Sequence, residues 1–353
     1  MLPRRTDAAE IGIKLIPWLQ KRMPEARDLS LSNVRGAERG FSNDTCLFDL
    51  SWEEAGRRRS AGMVLRRPPK LPLFPEPNLQ IQFRVMQCLQ GSKVPVPKVY
   101  WLEADDSILG DPFYIMSEIK GVSPSDFPTY HASGVYLEAT PEQRAMMWWG
   151  CVEAIAKVHA LDWHALGLSF LGDPAHPGGP VDWLLDLYER RLNWAKQGSQ
   201  PILEAALRFL KKNVYTPERV VLCWGDSRMS NIIYTTEFSV AALLDWEIAY
   251  LGDHAADLAW MLFLDWASSE GGGIARLPGT PGREETVRRY EELTGWEVTN
   301  LFYNEVLAAF ELAVPMLTVF KNLRAAGIPV GDDIERNNFC TQRLSRLLGL
   351  PAP

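Results

Sequence analysis

Apolar and polar positions change rhythm twice along this chain. Ile11, Leu15, Ile16 and Leu19 recur at helical spacing, so Ile11 to Arg22 is expected as an outlying helix. From Leu29 the runs shorten and become strand-like. A polar loop with Gly36 and Gly40 leads into Cys46 to Leu50, Glu53 to Ala61 reads as a solvated hairpin tip, and Gly62 to Leu65 is the next strand. Asn78 to Leu89 returns to helical spacing at 79, 83, 86 and 89. Val94-Pro95-Val96-Pro97 is extended, because a residue before proline avoids the helical region. Val99 to Glu103 and Pro112 to Ile119 then read as two more strands. After Gly121 the spacing is mostly helical. Thr140-Pro141-Glu142-Gln143 is a helix start with a Thr cap, Pro at the first helical position and Gln three after the cap. Helices are expected through His159 and over Trp183 to Lys196, Ile202 to Lys212, Ala256 to Trp266 and Glu284 to Leu293. Two more follow, Leu301 to Arg324 with a kink or break at Pro315, and Ile334 to Leu348. The fold class is α+β: a helical extension over 1–28, a β-rich lobe over 29–119 and a larger helical lobe over 120–353.

One stretch, Val220 to Trp260, breaks the helical rhythm. The apolar run Val220 to Cys223 turns sharply at Gly225, and Asp226 and Asn231 follow five residues apart on one loop. Ile232 to Tyr234 is a second apolar run. Val240 to Leu244 is a third and delivers Asp245, fourteen residues after Asn231. Phosphoryl transfer from a nucleotide needs a base that orients the attacking hydroxyl, plus an amide and a carboxylate that hold a metal on the phosphates. Asp226, with Arg228 beside it, is the catalytic candidate; Asn231 and Asp245 are the metal candidates. Each alone is the common content of a turn or a cap, and the combination carries the reading.

The β-rich part offers the matching nucleotide side. The loop Arg39 to Thr45, with Ser42 and Asn43, can turn exposed N–H groups toward phosphates. Arg66 ends the following strand and can grip phosphate with two donors. Gln82 sits on the helix facing Arg66. Met116, Ser117, Glu118 and Ile119 run from a strand into a polar linker, whose backbone can meet an adenine edge.

The chain of 353 residues has 46% hydrophobic and 23% charged residues, an ordinary soluble balance. A net charge of −7 argues against nucleic acid or an anionic membrane as partner, and leaves local cations or a metal to meet an anionic nucleotide. Five dispersed cysteines without a CxxC pair read as buried free thiols in a reducing compartment. Lys14 interrupts the N-terminal apolar run, and no run is judged to reach a membrane span of roughly 18 residues. A cytoplasmic location is the expectation; oligomeric state is left open.

The motifs Trp224-Gly225-Asp226-Ser227-Arg228-Met229-Ser230-Asn231, Leu244-Asp245-Trp246-Glu247, and Gly252-Asp253 with Asp257-Leu258-Ala259-Trp260 resemble those of the aminoglycoside phosphotransferase/choline kinase family. The likeness covers roughly residues 30 to 345. Within it the chain is most similar to a bacterial branch related to the kinase-like domains fused to acyl-CoA dehydrogenases. The resemblance implies a two-lobed, protein-kinase-like fold: a small antiparallel sheet with one main helix, a hinge, and a helical lobe. It implies Asp226 as base, Asn231 and Asp245 on Mg2+, Arg66 on the phosphates of ATP or GTP, and Met116 to Ile119 along the adenine. Three residues depart from the family pattern: Trp224 where His is usual, Arg66 where Lys is usual, and Gln82 where a Glu would pair with that Lys.

The expected reaction is transfer of the γ-phosphoryl group to a hydroxyl on a small molecule. Glu247, Asp253, Asp257 and Asp265 could make an acidic pocket for a polycation. The many tryptophans of the helical lobe read as core, and any that line the cleft would favour a hydrophobic or acyl-type acceptor. The competing class is a kinase-fold nucleotide- or ligand-binding module without activity, which the three departures would suit. A metal-dependent hydrolase lacks a His-rich ligand set.

Overall fold

The computed structural model describes residues 8–36, 44–76, 79–173 and 175–353. The chain divides into two compact units, one formed by Met1–Pro72, Glu76–Gln90 and Val96–Lys120, the other by Leu73–Pro75, Gly91–Pro95 and Gly121–Pro353.

The first unit holds α1 (Ala8–Arg22), β1 (Arg27–Gly36), β2 (Asp44–Glu54), β3 (Arg57–Arg67), α2 (Leu79–Leu89), β4 (Val99–Glu103) and β5 (Phe113–Ser117). Its strands form one antiparallel sheet in the order β1-β2-β3-β5-β4. Cys46, Phe48 and Leu50 alternate inward along β2, as period-two patterning requires. The first helix is not an outlier. Ile11, Leu15, Trp18 and Leu19 pack with Phe48, Leu50, Met63, Leu65, Phe113 and Ile115, and Trp18 Nε1 donates to Glu103 Oε2 at 2.7 Å. The expected long hairpin tip also differs. Strands β2 and β3 stay paired to Glu54↔Arg57, leaving Ala55 and Gly56, both at positive φ, as a two-residue turn. Glu53 and Glu54 face Arg58 and Arg57 across the ladder, so opposite charges hold together a segment whose polarity suggests a loop.

The second unit holds α3 (Gly134–Glu138), α4 (Pro141–His159), α5 (Gly179–Ala195), α6 (Pro201–Lys212), β6 (Val220–Cys223), β7 (Ile232–Tyr234), β8 (Val240–Leu243), β9 (Tyr250–Asp253), α7 (His254–Ser268), α8 (Arg283–Thr294), α9 (Leu301–Ala325) and α10 (Phe339–Leu348). The cap at Thr140 is reciprocal: Gln143 N–H donates to Thr140 Oγ1, and Thr140 N–H to Gln143 Oε1. Side chains of α5, α6, α7, α9 and α10 share one apolar core.

Helix α9 corrects two expectations. It runs through Pro315 without the break that the proline suggests. It is also long and apolar enough to cross a membrane, yet two-thirds of its most apolar window is buried inside the unit, as befits a core helix.

The strands of the central stretch are nested. Strand β6 pairs with β9, not with β7, while β7 pairs with β8 inside that frame. Because Cys223 lies opposite Tyr250 and Ile232 opposite Leu243, the loops 224–231 and 244–249 leave their ribbons side by side. Leu244 N–H donates to Asn231 O at 2.8 Å and closes that end.

Candidate active site

Nesting brings the two candidate loops together, and a buried carboxylate fixes the first of them. Asp257, on the first turn of α7, accepts Trp224 N–H at 2.6 Å on Oδ2 and Gly225 N–H at 2.8 Å on Oδ1. His159 Nε2 lies 3.0 Å from the same carboxylate, and its Nδ1 lies 2.7 Å from Tyr290 Oη. Ser227 Oγ donates to Asp257 O. The turn needs Gly225: φ is +85°, and a Cβ there would stand 2.3 Å from Ile248 O. His159, Cys223 and Asp257 are close enough to hold an ion, but the Asp257 oxygens already bind these backbone donors.

Trp224, where the family pattern has His, is fully buried, and its Nε1 donates to Leu244 O at 2.8 Å. The indole therefore ties the Asp226 loop to the residue that precedes Asp245.

On this frame Asp226 is held at both oxygens. Trp260 Nε1 donates to Oδ1 at 2.9 Å, and Asn231 Nδ2 to Oδ2 at 2.7 Å and to the Asp226 carbonyl at 3.0 Å. Arg228 Nε stands 3.0 Å from Oδ1. Burial pushes the Asp226 carboxyl above its ordinary range; Asp245 and Asp126 push the same way, against Arg228 and Asn231. Asp245, two residues past β8, is thus near enough to be felt at Asp226, half-buried and with a φ of +60°. With the Asn231 amide turned to donate to Asp226, its Oδ1 is the remaining ligand atom. Together with the Asp245 carboxylate it makes an all-oxygen set of the kind hard divalent cations take.

Other acids of the stretch are already engaged. Asp253 caps α7 through Ala255 N–H and accepts from Tyr215 Oη. Asp265 accepts from Tyr130 Oη at 2.8 Å and Arg276 Nε at 2.6 Å, with His131 Nε2 at 3.0 Å. Asp253, Asp257 and Asp265 therefore do not form the open acidic pocket that their clustering suggests.

In the first unit the structure joins Arg66 and Gln82: Arg66 Nη1 donates to Gln82 Oε1 at 3.0 Å, and Tyr114 Oη donates to the same oxygen at 2.9 Å. Met116 is buried in β5. Ser117 N–H donates to Lys98 O and Glu118 N–H to Gly62 O, and the Glu118 carboxylate pairs with Arg35 and Lys120. The N–H groups of Ser117 and Glu118 are therefore already engaged. Ser42 and Asn43 lie outside the described residues.

Sequence reasoning did not find Trp260 as a partner of Asp226. The signal was available: Asp253, Asp257 and Trp260 recur at helical spacing, so the cap, the brace and the indole share one face of α7. Asp126 left no such signal.

A small antiparallel sheet unit, a helical unit and an Asp–Asn–Asp end define a kinase-like phosphotransferase fold. Residues 33–301 match the model of the phosphotransferase enzyme family, and the chain belongs to that family. It is 31% identical over 200 residues to acyl-CoA dehydrogenase family member 10 of Mus musculus, a match covering 56% of this chain and 18% of that longer protein. A solved aminoglycoside phosphotransferase-like protein of Ralstonia eutropha JMP134 is similar over 96% of this chain and 98% of its own, with 23% identity and a TM-score of 0.69. A thermostable mutant of aminoglycoside phosphotransferase APH(4)-Ia, solved with ADP and hygromycin B, shares the fold at a TM-score of 0.55 and 16% identity. That match covers 94% and 97% of the two chains.

Proposed function

We propose that the protein transfers the γ-phosphoryl group of ATP or GTP to a hydroxyl of a small molecule, with Asp226 as base. The observation that carries this is the Asp226 carboxylate, clamped between Trp260 and Asn231 with Asp245 within electrostatic reach. Among the described residues each Asp226 oxygen accepts one hydrogen bond, with Arg228 Nε also 3.0 Å from Oδ1, and Oδ2 keeps a further lone pair for an acceptor O–H. In the transfer, the acceptor oxygen bonds to the γ-phosphorus, the bond from phosphorus to the β,γ-bridging oxygen breaks, and the acceptor's proton passes to Asp226. Asn231 and Asp245 would hold Mg2+, which when bound supplies positive charge to the phosphate oxygens. Arg66, anchored by Gln82, would meet the phosphates. The ADP and hygromycin B in the APH(4)-Ia complex support a nucleotide and a hydroxyl acceptor.

The acceptor need not be a polycation. Three of the acids that would attract one are hydrogen-bonded inside the helical unit, which favours a neutral or hydrophobic hydroxyl compound. ADP release measured with and without Mg2+ over a panel of hydroxyl compounds tests the reading. Mg2+-dependent release that a hydroxyl compound stimulates supports it. No release with any nucleotide would sink it, and turnover confined to aminoglycosides would overturn the acceptor assignment.

A further inference from the structure

Arg228 sits between two carboxylates. Its Nη1 is 3.0 Å from Asp126 Oδ1 and its Nε is 3.0 Å from Asp226 Oδ1. The Nε–H is buried, and among the described residues it makes no hydrogen bond. Asp126 reaches this position because its segment is pinned alongside the catalytic loop. Val122 and Tyr234 exchange both backbone hydrogen bonds, and Ser123 Oγ donates to Ser230 O at 2.7 Å. Beyond Asp126 the chain is pinned again, by Thr129 Oγ1 to Ser268 O and Tyr130 Oη to Asp265.

A guanidinium beside a single carboxylate turns its N–H groups onto it, because charge-assisted bonds in a partly dry site are the strong ones. Without Asp126, Asp226 would be the carboxylate held closest to Arg228, with Asp245 also felt there, and Arg228 would close on Asp226 and occupy the lone pair that an acceptor hydroxyl needs. A second carboxylate on the far side divides that attraction. We propose that Asp126 is a positioning residue for phosphoryl transfer: by sharing Arg228 it keeps Asp226 open to the acceptor. This rests on the reading of Asp226 as base. It assigns a role to a residue outside the Asp–Asn–Asp set.

The test is a four-cornered set, wild type, Asp126→Ala, Arg228→Ala and the double variant, with Mg2+-dependent ADP formation as one readout. Asp126→Ala is expected to lower kcat by about 10- to 100-fold, the scale of a slightly misplaced catalytic group, with nucleotide KM held within about 2-fold. Asp126→Glu should recover most of the loss. Because Asp126 acts through Arg228, the double variant should be no slower than Arg228→Ala. Additive losses, or an unchanged kcat in Asp126→Ala, would overturn the proposal. A second readout does not depend on turnover: the Nε–H resonance of Arg228, identified by its disappearance in Arg228→Ala. It should move to a hydrogen-bonded position in Asp126→Ala, and a resonance that stays put overturns the proposal equally. If that shift appears while wild type forms no ADP with any hydroxyl, the phosphotransferase reading fails and the control of Arg228 by Asp126 stands. Both side chains are partly exposed, so folding should survive; Asp126→Asn serves if the alanine variant does not fold.

Discussion

Two buried aspartates of the helical unit show opposite uses of one side chain. Asp265 and Asp226 are 4% and 8% exposed. Burial alone would push Asp265 up, but the His131 hydrogen bond and the Arg276 charge outweigh it and hold that carboxyl below its ordinary range. At Asp226 burial wins, with the carboxylates of Asp245 and Asp126 adding to it against Arg228. One acid is fully compensated and holds Tyr130, His131 and Arg276 in place. The other is clamped by geometry yet under-compensated in charge, so it takes up a proton more readily than an ordinary carboxylate. Proximity in sequence and equal burial do not separate them; the sign of the neighbouring charges does.

The strongest way to break the comparison is Asp226→Asn. Turnover should fall by about 10²- to 10⁴-fold, the range for losing a positioned base, while nucleotide affinity measured by equilibrium binding stays the same. Stability should change by no more than about 1 kcal/mol, since the shape and most of the contacts remain. Retained turnover would remove Asp226 from the mechanism.

Asp265→Asn should do the reverse. Losing an acceptor for Arg276 and His131 costs about 2–3 kcal/mol in urea unfolding, the scale of hydrogen bonds to charged groups, with kcat changed little. The pH dependence gives the sign. The folded value of Asp265 lies below its unfolded one, so its stabilisation is present at neutral pH and is lost as pH falls through the depressed value. The folded value of Asp226 lies above, so its ionisation costs stability at neutral pH, and that cost is relieved as pH falls through the raised value. Urea midpoints followed from neutral to acid pH should therefore show a weaker acid loss in Asp265→Asn than in wild type. In the activity profile the acid limb should stand above the ordinary carboxylate range. A limb within that range would mean that burial does not govern Asp226.

Some contacts within each unit were legible because their residues are close in sequence or on matched elements. In the helical unit Asp226 and Asn231 sit on one loop marked by Gly225 and meet; in the first unit Arg66 and Gln82 meet as strand and helix spacing implied. What stayed hidden depends on contacts between distant segments. Strand β6 pairs with β9 across the whole hairpin, and Asp126 reaches Arg228 from a stretch a hundred residues earlier with no periodicity of its own. The acidic cluster was legible as residues and misleading as a pocket, because partners decide whether an acid is available. Charge pairing across β2 and β3 likewise turned an apparent loop into strand.

The smallest expected effect concerns the first unit, where the holding group is neutral. Gln82 is buried and takes donors from both Arg66 and Tyr114 on one oxygen. Gln82→Leu removes that acceptor at similar bulk, taking away one hold on Arg66 while leaving its charge. A hydrogen bond of this kind contributes about 0.5–1.5 kcal/mol, so nucleotide KM should rise by about 2- to 10-fold with kcat nearly unchanged. Gln82→Glu sharpens the point: an ion pair would fix the cation more firmly, and nucleotide KM should fall or hold. If both substitutions leave KM where it was, Arg66 does not read the phosphates. The neutral anchor would then be a packing feature of the sheet, in contrast to the charge-tuned aspartate of the helical unit.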